Sequence, residues 1–357
     1  MDLLTAVAVS MLPVSRLKAA ALFKELRGAN PLITLESVLD AVGLAPGGQS
    51  RTEALASARR DAQAALTAGA DLGMEPVPWF DPRYPPLLTC IPDPPPVLWA
   101  RGALDCLTRP AVAVVGSRAA TPYALQVGRR LAAELAERGI VVVSGLARGV
   151  DAAAHEGCLS GGGATVAVTG CGLDRVYPQE HTALARRIEA KGLLLSELGP
   201  GAAPRPEHFP LRNRVISGIS LAVVVVEASE KSGSLITAAC ALRQGRDVMA
   251  VPGSVLSGRN RGSHSLLKDG AKVVETADDI LEELGWAPPA ARAPGAETRG
   301  RSAKDPLLLT MDPGEAYSLD ELVEATGTPA PKLLPRLMEL ELLGLVDVPA
   351  SGRFVRR

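Results

Sequence analysis

The sequence predicts an α/β protein with a mainly parallel sheet, a small helical module ahead of it and a winged helix behind it. Three observations carry this. Six short apolar runs of β-type residues each stop at glycine, serine or arginine turns. Segments of helical length separate them. A tail beyond Asp305 has its own helix start and a closing hairpin. Strands buried on both faces read as unbroken Val/Ile/Leu runs rather than as alternation, which is the mark of a parallel sheet.

Residues 1–75 read as short helices and as a separate helical domain. Pro13-Val14-Ser15-Arg16-Leu17 opens one helix that runs to about Arg27. Gly28-Ala29-Asn30-Pro31 stops it. Leu35 to Leu39 starts another, and Thr52 to Thr67 is alanine-rich. A helix-hairpin-helix or SAM-like contact with nucleic acid and a plain packing module are both open. Few lysines and no glycine-rich hairpin favour packing. From Trp79 to Gly102 the chain is proline-dense, with Asp93-Pro94-Pro95-Pro96 at its centre. Proline cannot donate to a ladder, so this segment reads as an extended strap along the main domain.

The α/β domain is expected over residues 76–286. Its runs are Val112 to Val115, Ile140 to Val143, Ala164 to Val168, Leu193 to Leu195, Leu221 to Val226 and Val248 to Val251. The turns at their carboxyl ends line one crevice, where open α/β sheets bind ligands. Residues 287–304, rich in Ala, Pro, Gly and Arg, read as a linker. In the tail, residues 305–357, Ser318 and Glu321 form a capping box. Leu333, Leu334, Leu337, Leu340 and Leu343 form a helical stripe. Gly344 to Val348, a turn at Ala350-Ser351-Gly352, and Phe354-Val355 make the hairpin. The second helix has only Lys332 and Arg336 as basic side chains, so a major-groove role and a protein-contact role both stand.

Composition narrows the chemistry. Of 357 residues, 47% are apolar and only 3% aromatic, so the chain is globular and lacks the rings for an extended stacking platform. Five scattered cysteines contain no CxxC pair and four histidines no HExxH. Neither a disulfide framework nor a zinc site is expected, and a cytoplasmic, reducing compartment fits. No apolar stretch approaches the ~20 residues of a bilayer span, and Met1 to Ser10 lacks a basic signal region. Net charge is −1, yet Ala111 to Gly270 holds 18 Lys and Arg against 13 Asp and Glu. That local excess suits a confined phosphate site rather than a charged coat.

Gly116-Ser117-Arg118 lies between a strand and a helix starting near Thr121-Pro122. Backbone N–H groups and the serine hydroxyl can cradle a phosphate, and arginine can clamp it with two N–H groups. A plain strand-to-helix turn is the alternative. Neither a Walker loop nor a dinucleotide fingerprint is present. Ser144 to Asp151, including Arg148, repeats the device. Asp151 and His155 lie one helical turn apart without a third ligand, so they read as a helix-start carboxylate and a surface or packing histidine. Arg212, Asn213 and Arg214 precede the Leu221 strand. Burying such a trio needs partners, and an internal network with Glu197 or Glu227 stands beside a ligand-facing role. Phe209, after Arg205 and His208, is open to base stacking or packing. Ser232-Gly233-Ser234 opens a helix as an anion site or a cap. No Ser–His–Asp or Cys–His set is legible, which favours binding over catalysis.

These segments together resemble the DNA-processing protein A (DprA/Smf) family. The matching blocks are Val114 to Arg118, Ser144 to Asp151, Gly172-Leu173-Asp174 with Tyr177-Pro178, Leu195-Ser196-Glu197, Phe209 to Arg214, Ser232 to Ala238 and Ala250 to Ser254, in order across about residues 80 to 284. The resemblance implies an extended Rossmann-like fold that homodimerises and binds single-stranded DNA during natural transformation. It further implies protection of that strand and loading of RecA, with single-strand-binding protein displaced or bypassed. No cofactor is implied. By resemblance the DNA pocket falls on Gly116, Ser117 and Arg118, and extends to Arg205, Phe209, Arg212 and Asn213. Arg175 and Arg205 stand where some members use lysine, and His264 takes a usual asparagine place. Arg148, Arg175, Arg214, Ser232, Gly233 and Ser234 complete the candidate set. A nucleoside-phosphate hydrolase on a related fold, with Glu197 or Glu227 as general base, is the rival reading.

Overall fold

The computed structural model describes residues 2–12, 34–42, 51–286, 305–312, 314–342, 345–348 and 353–356. The helix expected from Pro13 to Arg27 and its stop at Gly28 to Pro31 lie outside these residues. So do the linker 287–304, Leu343, Gly344, the turn at 350–352 and Arg357.

The first described elements are α1 (Leu3–Met11), α2 (Leu35–Val42) and α3 (Arg51–Asp71). Asp2 caps α1 by accepting from the Thr5 N–H at 2.7 Å. Val7, Val38 and Ala62 from these helices share one apolar cluster with Trp99, Leu173 and Ile188 of the α/β part. Next come β1 (Glu75–Pro78) and β2 (Val97–Gly102), an antiparallel pair. The proline-dense segment between them is fastened by Tyr84, whose hydroxyl donates to the Pro95 carbonyl at 2.8 Å. The sequence reading took everything to Gly102 as a strap. The prolines end at Pro96, however, and the buried Val97-Leu98-Trp99-Ala100 that follows is free to join a ladder.

The sheet then continues through β3 (Ala111–Val115), α4 (Pro122–Glu137), β4 (Val141–Ser144), α5 (Val150–Ser160), β5 (Thr165–Thr169), α6 (Thr182–Lys191) and β6 (Leu193–Ser196). After α7 (His208–Gly218) follow β7 (Ala222–Val225), α8 (Ser234–Arg243), β8 (Asp247–Ala250), α9 (Arg261–Lys268), β9 (Lys272–Val273) and α10 (Ala277–Glu283). Each of the six expected runs is a strand. The nine strands lie in the order β1-β2-β6-β5-β4-β3-β7-β8-β9. β3 to β9 are parallel, and β2 adds antiparallel to β6.

Both faces of the sheet are covered, as the apolar runs required. Val112 and Val114 pack with Leu131 and Leu135 of α4 and Ile280 of α10. Ala113 and Val115 pack on the other face with Val215 and Ile216 of α7 and Ala238 of α8. β3 has β4 on one side and β7 on the other, so the connections after β3 and β7 leave in opposite directions. That divergence opens a crevice at the carboxyl edge.

The tail forms α11 (Pro306–Leu309), β10 (Ala316–Tyr317), α12 (Leu319–Thr326), α13 (Ala330–Leu342), β11 (Val346–Asp347) and β12 (Phe354–Arg356). The small sheet has order β10-β12-β11, one strand more than the expected hairpin. The capping box is formed: the Glu321 N–H donates to Ser318 Oγ at 3.2 Å and the Ser318 N–H to Glu321 Oε2 at 2.6 Å. Leu322, Leu333, Leu337 and Leu340 fill its core. Among the described residues no helix is long and apolar enough to cross a membrane.

His155 of α5 is wholly buried, a packing residue rather than a surface one. Thr165 Oγ1 donates to the Val142 carbonyl at 2.6 Å, so His155 Nδ1–H donates to Thr165 Oγ1 at 2.7 Å. Burial, aided by His181 and Arg212, pulls its pKa from 6.5 to about 3. Between those values the unfolded chain binds a proton that the folded chain refuses, so stability falls as pH drops through that window. Thermal unfolding of His155→Gln is expected to lose less Tm than the parent as pH is lowered from 6.5. Parallel pH slopes would contradict this.

Candidate nucleic-acid interface

The crevice holds a pocket of about 400 Å³ where the loops after three strands meet α7 and the amino ends of α5 and α8. Gly116 to Ala119 come from the loop after β3, Ala147 and Asp151 from the loop after β4 and the start of α5. Ser229 and Lys231 to Gly233 come from the loop after β7, Ser234 and Thr237 from the start of α8, and Arg212, Asn213 and Ile216 from α7. The loops are held tightly together. The Val150 N–H donates to the Ser117 carbonyl at 3.2 Å. Gly149 has φ 75° and passes so close that a Cβ there would sit 2.1 Å from the Ser117 oxygen. Only glycine meets both demands. Leu146 holds φ 56° in the same loop, and that left-handed backbone costs a β-carbon residue about 1–2 kcal/mol.

Arg212 forms the pocket floor. It is buried, and Nη1 donates to the Gly145 carbonyl at 2.7 Å and to the Val168 carbonyl. Among the described residues it has no carboxylate ion pair. Burial pulls its pKa down to about 10, with Asp151 opposing the shift and Arg118 adding to it, so it stays cationic at neutral pH. Asp151 lies nearby and accepts from the Gly145 N–H at 3.1 Å and the Ala147 N–H at 3.4 Å. Burial pushes this carboxyl above the usual carboxylate range, against the pull of Arg212 and those two N–H groups. Gly145 separates the pair: a Cβ there would lie 2.6 Å from Arg212 Nη2 and 2.7 Å from Asp151 Oδ2.

Arg118 stands exposed at the rim, its guanidinium 5.7 Å from the centre of the Phe209 ring. Phe209 in turn packs against Tyr177, with ring centres 5.2 Å apart. This cation–aromatic column sets the arginine without neutralising it. Among the described residues Arg118 has no ion pair, and neither does the exposed Lys231 across the pocket. The amino end of α8 completes the wall. Ser232 Oγ and Ser234 Oγ are 2.7 Å apart, and Asn213 Nδ2 donates to the Gly233 carbonyl at 3.3 Å. The hydroxyls of Ser117, Ser232 and Ser234 and the cations Arg118, Arg212 and Lys231, set against the single carboxylate of Asp151, give the hollow a net positive, hydrogen-bonding lining of the kind that suits an anion.

Gly116, Ser117, Arg118, Arg212, Asn213, Ser232, Gly233 and Ser234 thus meet around one cavity. Phe209 stands behind Arg118. Arg148 is exposed and paired with Glu180, Arg175 is paired with Asp174 at 3.5 Å, and Arg205 is exposed; none of the three lines the pocket. Arg214 corrects the sequence reading. It is buried away from the pocket, 2.9 Å from Asp93 Oδ2 and 2.5 Å from Glu197 Oε1, the internal network left open above. Helical geometry explains the split, because residues two apart on a helix face different sides. Lys231 was missed, though it directly precedes Ser232-Gly233-Ser234 and is the cation of that loop. Glu227 is buried, accepting from Thr121 Oγ1 at 2.7 Å, and neither it nor Glu197 lines the pocket.

Comparison with known proteins sets this geometry in a family. The family model for DNA recombination-mediator protein A matches residues 76–285. The chain belongs to that family. A second model, the DprA winged helix domain, matches residues 287–349. Protein Smf of Escherichia coli is 37% identical, over 91% of this chain and 89% of that protein. DNA processing protein DprA of Streptococcus pneumoniae is 47% identical over 57% of this chain and 72% of that protein. The X-ray structure of the pneumococcal protein superposes with a TM-score of 0.68, covering 78% of this chain and 95% of that one at 36% identity. The Helicobacter pylori DNA processing protein A, studied for its single-stranded DNA binding mode, superposes with a TM-score of 0.54. It covers 59% of this chain and 95% of that one at 31% identity.

The two arginine environments predict opposite stability effects. Arg214→Ala leaves two carboxylates without their buried partner and is expected to cost about 3–5 kcal/mol. Arg118→Ala removes an exposed group and is expected to stay within about 0.5 kcal/mol. Gly145→Ala overpacks the Arg212 contact and is expected to cost about 1–3 kcal/mol. Urea midpoints check all three, and equal losses for Arg118→Ala and Arg214→Ala would contradict the assignment.

Proposed function

We propose that this chain is a non-enzymatic single-stranded DNA-binding protein that grips the sugar–phosphate backbone in the crevice between β3 and β7. The observation that carries it is the pocket's excess of positive charge: Arg118, Arg212 and Lys231 line it against the single carboxylate of Asp151, with Arg212 bonded to backbone carbonyls and Arg118 and Lys231 outside any ion pair at the rim. Such a pocket attracts phosphate without reading base sequence. Tyr177, exposed beside the Arg118–Phe209 pair, offers a ring to an unstacked base, which a paired duplex does not present. The described binding mode of the H. pylori relative supports the choice of a single strand.

Family membership supports the wider role: protecting DNA that enters during natural transformation and loading RecA onto it, with single-strand-binding protein displaced, in the cytoplasm and as a homodimer. A hydrolase reading is less favoured because Glu197 and Glu227 are committed to Arg214 and Thr121 outside the pocket.

Titration with single- and double-stranded oligonucleotides of equal length at two salt concentrations tests this. Single strands are expected to bind more tightly, and Arg118→Ala to weaken that binding by roughly tenfold. Its log K against log salt should be shallower by about 0.7, one phosphate contact fewer. Wild-type affinity in Arg118→Ala would remove the pocket from the account.

A further inference from the structure

A second hollow of about 640 Å³ opens directly beside the pocket and shares Ser229 and Lys231 with it. Its other walls come from the loop between β8 and α9, at Leu256 to Arg259, and from Glu230 and Arg261. Lys231, Arg259 and Arg261 are exposed cations there. The local carboxylate, Glu230, lies 3.8 Å from Arg261 in a loose, solvent-exposed pair, so an excess of positive charge remains.

The loop is anchored at its base and bare at its tip. Asn260 is buried and donates through Nδ2 to the Ser254 carbonyl at 3.3 Å. His264 Nε2 lies 3.0 Å from the Gly253 carbonyl. Arg259 Nη1 donates to the Ala119 carbonyl at 2.7 Å, tying the loop to the residue after Arg118. Between these anchors Val255 and Leu256 are 79% and 93% exposed. An apolar pair held in water by a fixed loop, beside three cations, has the composition of a surface that meets bases and phosphates together. Leucine is among the apolar side chains that wedge between base steps of duplex DNA, and an unstacked base exposes the same apolar face to it without the cost of opening a duplex.

We infer that a bound polynucleotide leaves the first pocket over Lys231 and crosses this second hollow. There Arg259 and Arg261 hold its phosphates, and Val255 and Leu256 pack against a base. The inference rests on the phosphate role of the first pocket and extends it: the ligand is a strand several nucleotides long, not a single nucleotide. Continuity of the two hollows through Lys231 and their shared sign of charge favour one strand over two separate ligands.

The test compares oligo-dT of about 4 and about 16 nucleotides, short and long relative to usual single-strand site sizes. The proteins are the full chain, the double variant Val255→Ser/Leu256→Ser, and Arg118→Ala. Both tip residues are exposed, so the double variant should fold, which its unfolding midpoint verifies. The double variant is expected to bind the short oligonucleotide as the parent does and the long one about tenfold more weakly. Arg118→Ala should weaken both. Parent-like binding of the long oligonucleotide by the double variant overturns the second subsite and leaves the first pocket intact. Parent-like binding together with a fall in native mass also overturns it and marks the tip as a contact with a second copy of the chain. Failure of the parent to bind either oligonucleotide overturns both subsites at once.

Discussion

A guanidinium lies inside the carboxyl edge of a parallel sheet, and much of this architecture follows from keeping it there. Burying a charge costs several kcal/mol unless it is compensated. Arg212 finds its compensation in the Gly145 and Val168 carbonyls, with Asp151 near but outside ion-pair contact. Backbone dipoles stabilise the cation, and Asp151 offsets part of its charge from beyond ion-pair distance. With Arg118 and Lys231 at the rim, three cations face that one carboxylate, so the crevice keeps a net positive lining. The absence of a side chain at Gly145 and the tight passage of Gly149 behind Ser117 are steric conditions for that arrangement.

The strands were legible because a doubly covered parallel sheet leaves unbroken apolar runs, and all six appear at their expected places. Their turns were legible as a group because small residues recur at the carboxyl ends. Less visible was the fate of individual arginines. Arg212 and Arg214 are identical side chains two positions apart in one motif. Only the fold reveals that Asp93 and Glu197, remote in sequence, converge on the second and not on the first. Lys231 escaped notice because nothing local separates a pocket cation from a solvated one. β2 was hidden by the prolines before it, and the shared core of α1 to α3 with Trp99 by the distance along the chain.

Charge is divided between the parts of the molecule. The core from Ala111 to Gly270 is net positive, whereas Asp305 to Arg357 carries 9 Asp and Glu against 5 Lys and Arg. On α13, the helix that would enter a groove, Arg336 is engaged by Asp305 and Glu339, and Leu334 and Met338 are exposed. A surface of this kind repels a phosphate backbone more than it attracts one. In the proposed function, the electrostatic work of holding DNA therefore falls to the sheet edge rather than to the winged helix.

The most direct measurement is a crystal structure of the chain with a short oligo-dT. The account predicts a phosphate in the β3–β7 crevice, within hydrogen-bonding distance of Arg118 and of the Ser232 to Ser234 turn, above Arg212. A strand bound elsewhere on the molecule, with that crevice holding no phosphate, would contradict it.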